Sequence, residues 1–285
     1  MLKSSLVSKL IRLALEEDQA LNDITAKLTV PENHRSAAIV VAREKLVVCG
    51  LDIIGRIAEE AGFTFQVLLK AQEGSEVGSE VVLAEIAGLT REILAAERTI
   101  LNFLQRLCGV AMYTRHFVSH VSGLVVLDTR KTMPGWRLLD KYATSVGGAR
   151  NHRMSLGDMI LVKNNHIDAH PGGIRAVLES VCANKPVSMS WEVEVRNLGE
   201  LAVALEFAPD MIMLDNFSDN QIRDAMVTVR ASQRRPLIEV SGGVRSERLG
   251  ALQALGVDAV SAGALTTQAP NVDISMRISA ADHES

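Results

Sequence analysis

The sequence predicts an α/β protein in which a strand-rich N-terminal region leads into a barrel of the (β/α) type. Three observations carry this. Beyond Gly123, short apolar runs alternate with helical stretches at a spacing of roughly 25 to 30 residues, the size of a βα unit. The runs are continuously apolar, as in a parallel sheet covered on its outer face. Each run also ends, at its carboxyl end, in polar residues or glycine. About six such units in a row favour a barrel, complete or incomplete, over a doubly wound sheet. No G-x-G-x-x-G follows a strand to indicate a dinucleotide fold.

The elements follow in order. "MLKSSLVSKLIRLALEEDQ" breaks its leucines with Lys9, Arg12, Glu16 and Glu17, which predicts an amphipathic helix and not a secretory signal. "SAAIVVAREKLVVCG" reads as paired strands ending at Gly50, and "LDIIGRIAEEAG" as a helix stopped by Gly62. "FTFQVLLKAQEGSEVGSEVVLAEIAG" reads as several short strands with glycine turns. Its one lysine, Lys70, is not at a hairpin tip, which disfavours a lipoyl- or biotin-carrying hammerhead. From Leu89 to Val121 apolar residues recur at helical intervals, with a break expected at Gly109, and this stretch is expected to bridge two domains. Arg98 sits within it beside Glu97, and periodicity alone reads it as part of a solvated helical face.

The barrel strands are "GLVVLDT", "DMILVKNNH", "SWEVEV", "DMIMLDN", "LIEVSGG" and "DAVSAGAL". Their carboxyl ends carry, in turn, Asp128 with Arg130 and Lys131; Lys163 with His166; Glu192 and Glu194; Asp215 with Asn216; Ser241, Gly242 and Gly243; and Gly263. In barrel enzymes the loops on that face converge on one mouth. Arg130 and Lys131, adjacent at the end of an apolar strand, either decorate a solvated loop or face an anionic ligand, since burying unpaired charge is costly.

Composition narrows the function classes. The 285 residues are 47% hydrophobic and 22% charged, ordinary values for a globular chain. The net charge of -4 advertises neither nucleic acid nor a membrane surface, so anion binding must come from local clustering. No apolar run approaches a membrane span. Cys49, Cys108 and Cys182 are odd in number and far apart, which fits a reduced, cytoplasmic compartment.

The residue types at the mouth point to a polyanion that also carries a sugar. Arg130, Lys131, Arg153 and Lys163 offer donors suited to carboxylate and phosphate. "SGG" and "SAGAL" resemble the glycine-permitted backbone donors that bind phosphate late in such barrels. Glu194 and Asp215, acids in a basic site, suit magnesium, sugar hydroxyls or a developing cation. Glu192 shares a strand face with Glu194, which leaves open a paired-carboxylate site or simple neutralisation of a lysine. His152 and His166 each have a structural alternative as loop or strand-end histidines. Arg137 and Lys141, on the helix after Pro134, read as solvated.

"LDTRKTMPGWRLLDKYATSVGGARNHRMSLGDMILVKNNHI" resembles the signature segment of quinolinate phosphoribosyltransferases, the decarboxylating nicotinate-nucleotide pyrophosphorylases of NAD biosynthesis. "LEEDQALNDIT", "AERTILNFLQRLCGVA", "VEVRNLGEL", "DMIMLDN", "IEVSGGV" and "GVDAVSAGALT" follow the family in order, so the likeness covers nearly the whole chain. It implies an N-terminal open-faced α/β sandwich over 1–110, an incomplete α/β barrel over 111–267 and a C-terminal return over 268–285 that rejoins the first domain. The reaction implied moves the phosphoribosyl group of phosphoribosyl pyrophosphate to the ring nitrogen of quinolinate, with magnesium, releasing pyrophosphate and carbon dioxide.

By motif, Arg130, His152, Arg153 and Lys163 would hold the quinolinate carboxylates. Lys131, Glu194 and Asp215 would serve the donor and its metal, and Ser241, Gly242 and Gly243 with Gly263 its 5′-phosphate. Of these, the resemblance makes Lys131, Lys163, Glu194 and Asp215 the catalytic set. Arg98, in "AER", matches an arginine that members contribute from a neighbouring subunit, which replaces the solvated-helix reading and implies at least a homodimer. The chain departs from the family at Asn22, Met133, Ala149 and Asn164, none of them a proposed ligand. A molybdenum-transport-associated relative on the same scaffold and a non-catalytic phosphate-ligand sensor are the alternatives. The full set of cations and both acids favours the enzyme.

Overall fold

The computed structural model describes residues 1–279 and divides into two compact units. The first comprises Met1–His116, Thr132–Gly148 and the chain from Leu265 on; the second comprises Phe117–Lys131 and Ala149–Ala264. Relative to a division at 110 and 267, the notable difference is Thr132–Gly148, which groups with the N-terminal unit.

In the first unit, helix α1 (Ser5–Glu17) begins where the Ser4 hydroxyl accepts the Leu6 amide, and buries Val7, Ile11 and Leu15 along one face. The short helix α2 (Ile24–Thr29) starts at Asp23, whose carboxylate accepts the Ala26 amide. Strands β1 (Arg35–Ala42), β2 (Leu46–Val47), β3 (Gln66–Leu69), β4 (Glu76–Val77) and β5 (Val82–Leu89) follow, with helix α3 (Ile53–Ala61) after β2. Gly62 ends α3 in a left-handed cap, φ 71°, as its position predicts. On α3 the apolar residues Ile53, Ile54 and Ile57 are fully buried, each side chain contributing about 1.5 to 3 kcal/mol of apolar burial.

The main sheet here is antiparallel in the order β12-β1-β5-β3, where β12 (Ile274–Ser279) is the returning C-terminal strand. Residues 280–285 of the expected return lie outside the described residues. β1 and β2 do not pair with each other as the sequence suggested. β1 lies between β5 and β12, while β2 pairs with β4, because eight-residue β1 matches the equally long β5 and leaves two-residue β2 a separate partner.

The long helix α4 (Thr90–Val118) runs for 29 residues without the expected break at Gly109. Gly109 is there for space: a Cβ would lie 2.1 Å from the Pro270 carbonyl oxygen, so the bare backbone lets the returning chain pass against the helix. Helix α5 (Arg137–Gly147) corrects a second expectation. Lys141 is fully buried and Arg137 half-buried with its Nε donating to Thr132, so neither is simply solvated. The buried face of α5 is broad, taking in Leu139, Asp140, Ala143, Thr144 and Gly147 as well. Asp140 is held by Arg106 at 3.1 Å and accepts the Met133 amide, so its buried carboxylate is satisfied.

The second unit contains six parallel strands: β6 (Val125–Leu127), β7 (Ile160–Val162), β8 (Trp191–Val195), β9 (Met211–Asp215), β10 (Leu237–Ser241) and β11 (Ala259–Ser261). Their order is β6-β11-β10-β9-β8-β7, so the two edges are the first and second strands in the chain. This is a (β/α) barrel open at one seam, where a lone bridge from Leu127 to Arg150 is the pairing seen on the first strand's second side. Helices α6 (Asn164–Asp168), α7 (Gly173–Asn184), α8 (Leu198–Glu206), α9 (Asp219–Ala231) and α10 (Leu249–Leu255) connect the strands, and α11 (Ala264–Thr267) follows β11. No helix among the described residues is long and apolar enough to cross a membrane.

Candidate active site at the barrel mouth

The carboxyl ends of the six strands surround a cavity of about 600 Å³, within the range of small-molecule sites. Its lining includes Arg130, Lys131, His152, Arg153, Lys163, Glu194, Asp215, Ser241, Gly242 and Gly243, so the structure brings together most of the residues singled out from the sequence, though not Asp128, His166, Glu192 or Gly263. Gly263 lies beside it: a Cβ there would sit 2.8 Å from Lys131 Cδ, so glycine lets the lysine stem cross the end of β11. Arg98 is not among the lining residues. It is exposed on α4 and borders a separate depression of about 300 Å³ with Leu10, Asp18 and Trp136.

The loop after β6 begins with Asp128, fully buried, whose Oδ1 accepts the His152 amide at 2.9 Å. Arg130 is half-buried, and its Nε is buried with no hydrogen-bond partner. Arg153 is buried, with one guanidinium nitrogen donating to the Met159 carbonyl at 3.1 Å. Burial pulls the Arg153 pKa down, and the Arg130 charge adds to this, while Glu192 opposes it. Two guanidinium groups lining one cavity, one of them buried, call for an anion to balance them.

At the end of β7 Lys163 Nζ meets Glu194 Oε2 at 2.7 Å, with the lysine partly exposed and the acid buried. Asp215 ends β9 and accepts from the Asn216 side-chain amide at 2.9 Å. The cavity lining thus carries four permanent cations, Arg130, Lys131, Arg153 and Lys163, against two carboxylates, Glu194 and Asp215. The excess favours a ligand with several negative charges.

The phosphate-type cradle lies after β10. Gly242 and Gly243 are both left-handed, with φ 92° and 59°. A Cβ on Gly242 would come within 2.2 Å of Asn216 Oδ1 and 2.9 Å of the Asn216 amide nitrogen, so two turns of backbone pack against each other there. Ser261, buried on β11, donates to Ser241 Oγ at 2.9 Å and orients the hydroxyl beside the glycines. Exposed backbone and hydroxyl donors in this setting suit phosphate oxygens.

Two groups escaped the reading of strand ends. Ser261 opens "SAGAL", a stretch whose strand end singles out Gly263 alone, and Glu239 lies two residues before Ser241, on the same pleat face. Glu239 and Glu192, both fully buried, meet His152: its Nε2 is 3.0 Å from Glu192 Oε2 and 3.5 Å from Glu239 Oε2. Burial pushes the Glu192 pKa up to about 7, and the Glu239 charge adds to the rise against His152. For His152, burial opposes the charged form, but hydrogen bonding and charge from the two glutamates outweigh it and push the pKa up to about 9. The ring's other side argues the other way. The Arg153 amide donates to Nδ1 at 2.7 Å, and that contact requires a lone pair there. In this arrangement the imidazole is therefore neutral, with its N–H at Nε2; charging it requires the Nδ1 contact to break.

His166 stands apart from the cavity, exposed, with Nδ1 accepting the Lys163 amide at 2.8 Å at the start of α6. That is the strand-end capping role.

Comparison with known proteins gives a consistent match along the chain. Residues 110–277 match the family model described as quinolinate phosphoribosyl transferase, C-terminal domain, and residues 23–108 match its N-terminal domain. A probable nicotinate-nucleotide pyrophosphorylase (carboxylating) of Methanocaldococcus jannaschii is 36% identical over 278 residues, covering 95% of this chain and 96% of that one. The solved nicotinate-nucleotide pyrophosphorylase of Francisella tularensis is 38% identical with a TM-score of 0.87, covering 96% of both chains. The NadC structure from Streptococcus pyogenes is 33% identical with a TM-score of 0.90, covering 97% of both chains.

Proposed function

The chain belongs to the quinolinate phosphoribosyltransferase family, and on that premise we propose how its barrel mouth divides the reaction. The activity is nicotinate-nucleotide pyrophosphorylase (carboxylating), a step of NAD biosynthesis: phosphoribosyl transfer from phosphoribosyl pyrophosphate to quinolinate with decarboxylation. Arg130, Arg153 and Lys163 hold the two carboxylates of quinolinate, and His152 forms the wall between them. The observation that carries this assignment is the pair of guanidinium groups lining one cavity, one with a buried, unpartnered Nε. Ser241, Gly242, Gly243 and Gly263 serve the 5′-phosphate, where left-handed glycines expose backbone donors. Lys131, Glu194 and Asp215 serve the rest of the donor, and the barrel, 111–267 in the sequence, carries the chemistry.

The mouth residues orient the pyridine so that its ring nitrogen attacks C1′ of the sugar. The N–C1′ bond forms as the bond from C1′ to the pyrophosphate oxygen breaks and takes its electron pair with it. Positive charge on the sugar in the transition state is stabilised by Glu194 and Asp215. The alkylated ring is cationic and accepts the electron pair left when the adjacent carboxylate departs as carbon dioxide, after which a proton replaces it. Fixing both carboxylates in a sheltered mouth supplies orientation.

Glu194 and Asp215 would hold magnesium as two hard oxygen donors at the cavity lining; few protein ligands are usual for this ion. When bound, magnesium supplies charge neutralisation of the pyrophosphate. The Lys163–Glu194 pair keeps both charges engaged until substrates take them. We place the protein in the cytoplasm, a compartment in which its three free cysteines stay reduced.

Purified protein given quinolinate, phosphoribosyl pyrophosphate and magnesium is expected to form nicotinate mononucleotide, to stop on chelation and to resume when magnesium is restored. Absence of product would overturn the assignment; activity unaffected by chelation would remove the metal from it.

A further inference from the structure

Beneath the mouth three ionisable side chains meet inside the barrel, and no step above uses two of them. Glu192 on β8 faces inward with Glu194, and Glu239 on β10 faces inward with Ser241, each one step deeper than the residue at the lip. In the sheet Glu192 is in register with Leu161 and Met211, and Glu239 with Met213 and Ala259, all apolar. Glu192 Oε1 and both Glu239 oxygens are buried and make no hydrogen bond, the nearest charge contact of Glu239 being the 3.5 Å approach to His152. Burying two acids this way is costly, and an apolar residue of similar volume would stabilise the fold better. Such a cost persists where the groups do something else.

A metal is the first reading to weigh, because ligand atoms of His152, Glu192 and Glu239 lie within 4.8 Å of one another. The hydrogen bonding runs against it. A metal-bound imidazole donates its second N–H to an acceptor, whereas His152 Nδ1 accepts the Arg153 amide. With Nδ1 an acceptor, the ring's proton belongs on Nε2, directed at the two carboxylates. Both ring nitrogens are then engaged within the protein, at 2.7 Å on one side and 3.0 Å on the other.

We propose that Glu192 and Glu239 are positioning residues for the pyridine wall: they lock His152 in the Nε2–H form, and through its Nδ1 contact fix the backbone from which Arg153 reaches the mouth. Three further contacts complete the brace. The His152 amide donates to Asp128 at 2.9 Å, the Arg153 guanidinium donates to the Met159 carbonyl at 3.1 Å, and Glu192 closes on His152 from below. The chain of contacts runs from the barrel floor to the guanidinium and does not include the phosphate cradle. This rests on the assignment of Arg153 to quinolinate.

The test uses the full chain with the double variant Glu192→Met/Glu239→Met and the single variant Glu192→Gln. The double variant removes both carboxylates that face Nε2 while keeping the volume close. The KM for quinolinate is expected to rise on the order of tenfold, with the KM for phosphoribosyl pyrophosphate within about twofold and the melting temperature not lowered. Glu192→Gln keeps an acceptor oxygen at the 3.0 Å contact and loses less. Nitrogen NMR of the imidazole is the independent readout: a single Nε2–H tautomer in the unaltered protein, and a tautomer mixture in the double variant. An unchanged quinolinate KM in a folded double variant would overturn the proposal, as would equal rises in both KM values together with a lowered melting temperature, or a proton found on Nδ1 in the unaltered protein. If the unaltered protein did not use quinolinate, the assay above would have failed first, and the tautomer readout would still decide the positioning.

Discussion

At the scale of single residues, the mouth is made by groups whose conformation or burial only that place requires. Gly242 shows it most directly. A methyl there meets both the side chain and the main chain of Asn216, at a φ of 92° that an L-residue rarely adopts. Gly242→Ala is expected to raise the KM for phosphoribosyl pyrophosphate by at least about tenfold while leaving that for quinolinate within about twofold, read by steady-state kinetics. Equal effects on both substrates would point to general disruption of the mouth. Ser241, Gly242 and Gly243 were legible because they stand at a strand end in an unusual triplet. Glu239 was not, since an acid inside "LIEVS" looks like an outward-facing residue until the pleat is set by the positions of Ser241 and the barrel interior. The burial of Lys141 is hidden from the sequence for a related reason: its type suggests solvent, and only the breadth of the buried face of α5 shows otherwise.

At the scale of elements, α4 shows two effects of opposite sign. Replacing Gly109 by Ala raises intrinsic helix propensity by about 1 kcal/mol. Against this, the new Cβ would stand 2.1 Å from the Pro270 carbonyl, a backbone atom that cannot swing aside as a side chain does. Overpacking costs about 1 to 3 kcal/mol, and a clash with fixed main chain belongs at the upper end, so after the propensity gain Gly109→Ala should be less stable by roughly 2 kcal/mol. The midpoint of urea unfolding measures it; a shift to higher urea would mean that the returning chain moves freely away from the helix. The strand pairings divide in the same way. The parallel strands were legible from their apolar runs, because each run and the helix after it are local in the chain. The partners of β1 were not, because β12 arrives from more than two hundred residues further along.

At the scale of the whole molecule, six strand ends contribute to one cavity, and the Arg98 assignment reaches beyond a single chain. In a homodimer that shares sites, inactive Arg98→Ala and Lys163→Ala chains, mixed under conditions of subunit exchange, form hybrids with one intact site. Random pairing should restore about a quarter of the sites. No recovery, despite exchange demonstrated by a mass-tagged subunit, would show that Arg98 does not complete a neighbour's mouth.

The sequence by itself determined the α/β class, the places of the parallel strands along the chain and the chemistry gathered at their carboxyl ends, because apolar periodicity and residue type are local properties. It also carried the motifs of the family to which the chain belongs. Only the tertiary structure decided that α4 runs unbroken past Gly109, that β1 takes the last described strand as its neighbour and that His152 stands over two buried acids. Those features depend on residues far apart in the chain, 109 with 270 and 152 with 192 and 239, whose meeting is set by packing and hydrogen bonding and leaves no period to read.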